Sequence, residues 1–541
     1  LGNRITTIEE SAFEGCSGLT SIEIPGNVTS IGSSAFAGCS GLTSIEIPGN
    51  VTKINNDAFA GCSALTSIEI PGNVTSIGSS AFAGCSGLRE LVIADGDEML
   101  YMYSSFDGTS IESLYLGRNI YGSFKNWDTL KKVSIGNEVT VIGESAFKDC
   151  SGLTSIEIPE SVTSIGAAAF EGCSALKEVI LAVSSTTLSL EDNTFSGTAI
   201  ESLYLGRNIS GSFKNWIELK ELTIGSRLTT IDKSTFEGCT GLTTVRIANN
   251  VRWIETLNFY YIPSFSEFIV DKGNYYISSI DGVLFDITGT TLLAFPRCKS
   301  GSYKIPDGVT KLKESAFRNC NVLTSLEIPS SVTSIGEWAF KDCSTLKDLI
   351  ISDSNTALTG EDSNFNESSL ETIYLGRDIN ISFSGQSNLE ELTIGSKVTA
   401  INESAFAGCT GLTSLIIPDN VTSINSKAFI GCTKISNITL GKGLKQIGYS
   451  AFSTCTAVTT IDIPDSVSIL GDYAFAFCNG LHTITLGCGL KEIGRSAFEN
   501  CTDLKTILCR ATTPPTCKEL CFNNVDKAKC YLIIPFGQGN A

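Results

Sequence analysis

The sequence predicts a repeat solenoid, a curved, elongated, right-handed rod of about 22 stacked coils of about 23 residues each. Each coil is expected to hold one short parallel strand and a turn, short helix or 3₁₀ turn. Three observations predict it. The motif LTSIEIPGNVTSIGSSAFAGCSG begins at Leu19 and recurs almost unchanged at Leu42 and Leu65, a period of 23. The frame then continues with drift from Leu88 to Leu504, with a weaker coil near Ser300 bridging its one long gap. Finally, 541 residues exceed what one rounded core holds, while 42% hydrophobic against 18% charged residues supplies enough apolar surface to fold.

Within a coil the elements follow in order. Leu19, Ile22 and Ile24 lie in the segment L-x-x-I-x-I, whose final alternation of period two puts Ile22 and Ile24 on one face of a short strand. Pro25, Gly26 and Asn27 then turn the chain, because proline ends strand pairing and Gly and Asn tolerate unusual backbone angles. Val28 and Ile31 point back inward. Ser33-Ser34-Ala35-Phe36 reads as a helical or 3₁₀ turn, with Phe36 plugging the coil beneath the strand. One coil cannot bury its own apolar face, but stacking between two copies closes a continuous core. At a spacing of roughly 4.8 Å the stack comes to a length on the order of 100 Å.

These residues resemble the BspA-like leucine-rich-repeat family, whose consensus L-x-x-L-x-L-P-x-x-V-x-x-I-x-x-x-A-F-x-x-C the sequence follows over nearly its full length. The resemblance implies a leucine-rich-repeat fold in a secreted or surface-attached protein of a host-associated bacterium or protozoan parasite. It also implies adhesion to host proteins or to other microbes.

The solenoid is assigned to residues 1–508 and a C-terminal cap to 509–541. Three coils without the A-F-x-x-C half are only 19 residues long, at 111–129, 200–218 and 370–388. The first reads IESLYLGRNIYGSFKNW, the second IESLYLGRNISGSFKNW and the third LETIYLGRDINISFSGQ, so a block of coils was itself duplicated. A bend is expected where each loses four residues. Between about 275 and 296 the sequence suggests two strands joined by a Thr-Gly turn, projecting from the stack. The cap holds a last strand in Lys529 to Pro535, and the chain ends in Phe536-Gly537-Gln538-Gly539-Asn540-Ala541, where family members commonly continue. Truncation or divergence of the cap is left open.

Composition narrows the chemistry. A formal charge of −19 opposes binding to nucleic acid or anionic lipid. No apolar run is long enough to span a membrane. The chain opens at Leu1-Gly2-Asn3-Arg4, inside a repeat, so a secretory leader, if one existed, has been removed and its absence says nothing about destination. Fourteen of the twenty cysteines occupy one repeat position, from Cys16 to Cys501. A spacing of 23 without accompanying histidines suits buried thiols and not a metal site. Cys298, Cys488, Cys509, Cys517, Cys521 and Cys530 fall outside that ladder, and whether one or two disulfides form in the cap is left open. The single histidine, His482, sits at a variable strand position, and the sequence carries no nucleophile elbow, phosphate-binding glycine loop or H-E-x-x-H motif. No catalytic residue, metal or cofactor is predicted, and the chain is not expected to be an enzyme. Asn27, Asn50, Asn73, Asn208 and Asn420 match glycosylation sequons but read as turn residues.

The residue between the two inward strand positions faces solvent in every coil. Down that column stand Glu23, Glu46 and Glu69, then apolar and aromatic pairs, Val92 with Tyr115, Ile180 with Tyr204 and Ile350 with Tyr374, each where a standard coil meets a short one. Arg118, Arg207 and Arg377 follow three residues after the tyrosines. Tyr and Arg are enriched in binding hot spots, so these nine residues form the expected ligand-binding set. The function expected from them is an adhesin or recognition module, extracellular or at the cell surface, whose strand face binds a protein or glycan, host extracellular matrix included. The alternative is a structural spacer that presents another domain away from the cell surface.

Overall fold

The computed structural model describes residues 1–228, 231, 234–249, 251, 259, 261–361, 364–365 and 367–534. It divides into two compact units, Leu1–Asn258 with Ile269–Tyr276, and Phe259–Phe268 with Ile277–Ala541. Both are parallel β-solenoids, and the chain makes about 22 turns. The end of the expected cap, 535–541, lies outside the described residues.

Each coil contributes to two strand columns where the sequence predicts one. In the first unit the front column runs in parallel register from Ser67–Ile70 through Glu90–Ile93 and Ser113–Leu116 to Lys132–Ile135. It resumes from Ser155–Ile158 through Thr244–Ile247. Ile68 and Ile70 are buried and Glu69 is exposed, as the alternation requires. In the first two coils the equivalent segments carry the inter-coil bond from Thr43 N to Thr20 O at 3.1 Å but form no strand. The rear column consists of two- and three-residue strands, Thr7–Ile8, Ser30–Ile31, Lys53–Ile54, Ser76–Ile77, Leu100–Met102 and Ile120–Tyr121. The second unit repeats the plan, with a front column from Leu323–Ile328 to Glu391–Ile394 and a rear column from Ala400–Ile401 to Thr516–Cys517.

The segment read as a helical or 3₁₀ turn is instead a plain turn. Ser34 has a φ of 52° and Gly38 one of 71°, and left-handed residues four apart break any right-handed helix. The kinked backbone points alternate amides along the stack: Ser34 N donates to Asn56 O at 2.9 Å, Phe36 N to Ala58 O at 2.7 Å and Gly38 N to Ala60 O at 2.7 Å. The amides between them close turns within the coil, Ala37 N to Ser34 O at 3.0 Å and Cys39 N to Phe36 O at 3.2 Å, so bonds along the stack alternate with turn bonds where a helix would direct every amide to its own coil.

Inside, the phenylalanines stack nearly parallel, Phe13 on Phe36 at 5.1 Å and Phe406 on Phe429 at 5.6 Å between ring centroids. Beside them the thiols form a second ladder, each from Cys39 onward donating to the phenylalanine carbonyl of the preceding coil, as Cys62 to Phe36 O at 3.2 Å and Cys478 to Phe452 O at 3.2 Å. All twenty cysteines are free, and every one in the ladder is buried except Cys16. The cap cysteines, whose pairing the sequence leaves open, are among the free ones. Burial pushes the thiols of Cys150, Cys173, Cys409 and Cys501 up to about 12.

Residues 275–296 hold three strands, Ile277–Ile280, Val283–Asp286 and Thr291–Ala294, paired antiparallel in order. The third runs parallel to Lys311–Leu312 of the rear column, so the segment ends that sheet and does not stand away from it. Its buried Val283, Phe285 and Leu292 explain the attachment, since they join the core of the second unit.

Candidate binding surface of the short coils

The strand register brings together the residues that the sequence places at the short-coil junctions. Val92 pairs with Tyr115, Ile180 with Tyr204 and Ile350 with Tyr374, and the inward residues on either side of each tyrosine are buried. The tyrosines are half-buried, because each lies along the stack over a glycine of the next coil. A Cβ on Gly136, Gly225 or Gly395 would come within 2.8, 2.9 and 2.9 Å of the Tyr115, Tyr204 and Tyr374 hydroxyls respectively. The hydroxyls of Tyr115 and Tyr374 donate to Asp95 Oδ1 at 2.7 Å and Asp353 Oδ1 at 2.9 Å. Those bonds, followed by partial burial, raise both phenols above their ordinary value of 10. Val183 stands where the other two blocks have Asp, so Tyr204 lacks that anchor; it is raised by burial first and then by Asp271.

Arg118, Arg207 and Arg377 are placed elsewhere than the surface position expected of them. All three are 0% exposed. The P-x-N-V type of turn is missing from the short coil and from the coil before it, and the arginine runs through that space to the last regular turn, two coils back. Arg207 donates to the carbonyls of Val162 at 2.7 Å, Pro159 at 2.6 Å, Glu160 at 3.2 Å and Ile158 at 3.2 Å. Arg377 reaches Val332 at 2.7 Å, Pro329 at 2.8 Å and Ser330 at 3.1 Å. Arg118 reaches Pro71 O at 2.8 Å and also Gly72 O. Burial lowers all three guanidinium groups below the ordinary arginine range, but an arginine remains charged in proteins. These arginines are internal clamps on turn carbonyls, whereas the tyrosines and their partners Val92, Ile180 and Ile350 reach the surface.

The back of the short coil is compressed and not missing. Phe124, Phe213 and Phe383 occupy the plug position and stack on Phe147, Phe236 and Phe406 at 5.5, 5.8 and 5.6 Å. Three residues later Trp127, Trp216 and Gln386 stand where other coils have cysteine. The spacing F-x-x-W was the available signal for this.

Flanking the tyrosines on the front column runs a line of ion pairs. Glu112 lies between Arg89 at 3.7 Å and Lys131 at 2.7 Å, Glu201 between Lys177 at 2.8 Å and Lys220 at 2.7 Å, and Glu371 beside Lys347 at 2.8 Å. The two lysines hold the Glu201 carboxyl down from 4.5 to about 2. Among the described residues no group of three or more His, Cys, Asp or Glu is placed to hold a metal ion. No helix among them is long and apolar enough to cross a membrane. His482 is half-buried, with its Nδ1 2.6 Å from Gly480 O.

Comparison with known proteins agrees with this architecture. The profile of the BspA-type leucine-rich-repeat region matches residues 1–112, 102–211, 190–286, 292–413 and 399–529. Among solved structures, the chain is similar to a leucine-rich repeat protein from Eubacterium ventriosum at 22% identity, covering 64% of this chain and 82% of that one with a TM-score of 0.34. A leucine-rich repeat protein from Bacteroides ovatus is 19% identical, covering 98% and 88%, with a TM-score of 0.24. The pneumococcal vaccine antigen PcpA is 19% identical, covering 91% and 93%, with a TM-score of 0.20. No curated protein matches. On the repeat, the stacked coils and a family profile that spans almost the whole sequence, the chain belongs to the BspA-type leucine-rich-repeat family.

Proposed function

We propose that the chain is a non-enzymatic recognition module of a secreted or surface-attached protein. Its exposed strand face would hold a protein or glycan partner, such as a component of host extracellular matrix. The observation that carries this reading is the threefold recurrence of an apolar residue in register with a tyrosine on a solvent-facing column, Val92 with Tyr115, Ile180 with Tyr204 and Ile350 with Tyr374. Elsewhere that column is mixed, charged at Glu69 and Glu157, polar at Ser134 and Thr223 and apolar at Ile416, so an apolar residue in register with a tyrosine is what sets the short coils apart. Apolar and aromatic side chains at an exposed position lose hydration when a partner covers them, which is the driving force of a contact site. Arg118, Arg207 and Arg377 serve this reading from inside, by fixing the coil on which each tyrosine stands.

The test is an array of extracellular-matrix proteins and glycans probed with the intact chain. The proposal expects saturable capture that falls at least about tenfold in the Tyr115→Ser/Tyr204→Ser/Tyr374→Ser variant, the loss of about 1.4 kcal/mol. Capture by that variant equal to the parent, with the melting temperature unchanged, would falsify the site. Absence of any specific partner favours the spacer.

A further inference from the structure

The first block carries a second exposed aromatic group, on the rear column and away from the front-strand tyrosines. Tyr101 and Tyr121 are register partners on adjacent rear strands, with ring centroids 5.7 Å apart and planes at 34°. Tyr103 meets Tyr121 edge-on at 5.6 Å and 64°. The three are 47%, 54% and 58% exposed for Tyr101, Tyr121 and Tyr103 in turn. Exposed Met99 precedes them. Exposed Val141 stands on the next rung, its amide bonded to Asn119 Oδ1 at 3.1 Å.

The fold does not require these rings. In the second block the same register positions are Ser189 and Ser210, with Glu191 in place of Tyr103. The third block has Thr359, Asn380 and Glu361 there. Between the sister segments 111–127 and 200–216 the single difference is Tyr121 against Ser210. Polar residues thus satisfy the same backbone, and the first block exposes three large rings that a solvated surface would not favour.

From this arrangement we infer that Tyr101, Tyr103 and Tyr121 form a stacking platform for a neutral hexopyranose or pentopyranose oligosaccharide. Three features select that occupant. First, with about half of each side chain exposed, the rings offer on the order of 300 Å², well below the roughly 800 Å² that each side of a stable protein interface contributes. A short saccharide fits this size. Second, the rings touch one another, so they leave neither the gap in which an aromatic cage encloses a cation nor the slot that grips a proline ring. They present faces and edges to a ligand lying on top. Third, a tyrosine combines a ring face, whose negative quadrupole attracts the polarised C–H groups on one side of a pyranose, with a phenol that bonds sugar hydroxyls at the rim. The edge-on contact of Tyr103 with Tyr121 gives the platform such an edge.

Calorimetric titration of the intact chain with cellohexaose, maltohexaose, mannohexaose, xylohexaose and β-1,4-galactohexaose tests this. The expected result is saturable one-to-one binding of at least one of these, weakened about tenfold by either Tyr101→Ser or Tyr121→Ser, the effect of losing one aromatic stack. Both substitutions install what the sister block already carries, so an unchanged melting temperature is expected alongside. Transplanting the platform by Ser189→Tyr/Glu191→Tyr/Ser210→Tyr should raise the stoichiometry toward two. The front-strand Tyr115→Ser/Tyr204→Ser/Tyr374→Ser variant should bind the saccharide normally, which separates failure of this inference from failure of the proposed function. No binding of any of the five sugars overturns the inference, as does binding unaffected in both single variants. Tyr121-dependent capture of a peptide in the absence of sugar binding overturns it too, in favour of a protein contact.

Discussion

Arg207 holds a full positive charge at 0% exposure, with four turn carbonyls as its partners. Its value to the fold lies in what its removal leaves behind. Truncation strands the buried Val162 carbonyl and strips a bond from the buried Ile158 carbonyl, and an unsatisfied buried group costs about 1–3 kcal/mol. Arg207→Met is therefore expected to lower stability by roughly 2–4 kcal/mol, read as a shift in the denaturation midpoint, whereas Tyr204→Ser should change it by under about 1 kcal/mol. Equal effects of the two would contradict the placement. The tyrosines were legible in the sequence because period-two alternation alone decides which way a strand residue points. The arginines were not, because the carbonyls they serve lie 45 to 49 positions upstream and the gap they fill comes from turns missing in two coils at once.

Glu201 shows the pH dependence expected of the ion-pair lines. Its folded value of about 2 lies below the ordinary 4.5, so its contribution is fully present above 4.5 and is lost as pH falls toward 2. Comparing the parent with Glu201→Gln by denaturation, the stability difference should shrink across that window and shrink further with added salt. A difference that stays constant between pH 6 and pH 2 would show that the pair contributes nothing.

At the scale of the element, the coil is held by stacked rings and thiols in place of helix hydrogen bonds. Phe429 lies between Phe406 at 5.6 Å and Phe452 at 5.4 Å, with no exposure. Phe429→Ala should cost about 3–5 kcal/mol, the usual range for emptying such a position, measured by chemical denaturation. The thiol ladder predicts a labelling pattern. At neutral pH a maleimide should modify exposed Cys16, Cys488 and Cys517 quickly and reach Cys150, Cys409 or Cys501 only on unfolding. Rapid modification of those buried thiols in the native protein would refute the packing. The strand, the proline turn and the plug phenylalanine were readable from residue type and spacing. Of the turn, short helix or 3₁₀ turn that the residues allow, the back segment is the turn; Ser, Ala and Phe do not reveal that Ser34 is left-handed, and only the fixed glycine at Gly38 hints at it. Likewise Thr288-Gly289 marked one reversal within 275–296, while the turn at Asp281-Gly282 that adds a third strand passed unnoticed.

At the scale of the molecule, stability in a solenoid is a sum of coils and nearest-neighbour interfaces. Damage in one unit should therefore remain local. Phe429→Ala in the second unit is expected to accelerate amide exchange in its neighbouring coils and leave the coils around Phe170 in the first unit at parental rates. Uniform acceleration across both would indicate a single cooperative block. Block duplication also organises the surface. Three copies share an arginine clamp and a front tyrosine, while the rear face has diverged to tyrosines in the first and to Ser, Thr, Glu and Asn in the others. The repeat frame exposed the duplication at once, but only the strand register showed Tyr101 and Tyr121 to be neighbours.

The short coils thus combine an arginine that holds the coil from within and a tyrosine at the surface, where the proposed function places a partner. The most direct test measures melting temperature and retention on the matrix-and-glycan array on the same preparations of two variants, Arg118→Met/Arg207→Met/Arg377→Met and Tyr115→Ser/Tyr204→Ser/Tyr374→Ser. The arginine variant should melt well below the parent. The tyrosine variant should melt with the parent and lose array retention. A tyrosine variant that is folded and fully retained, or an arginine variant as stable as the parent, would contradict this division of roles.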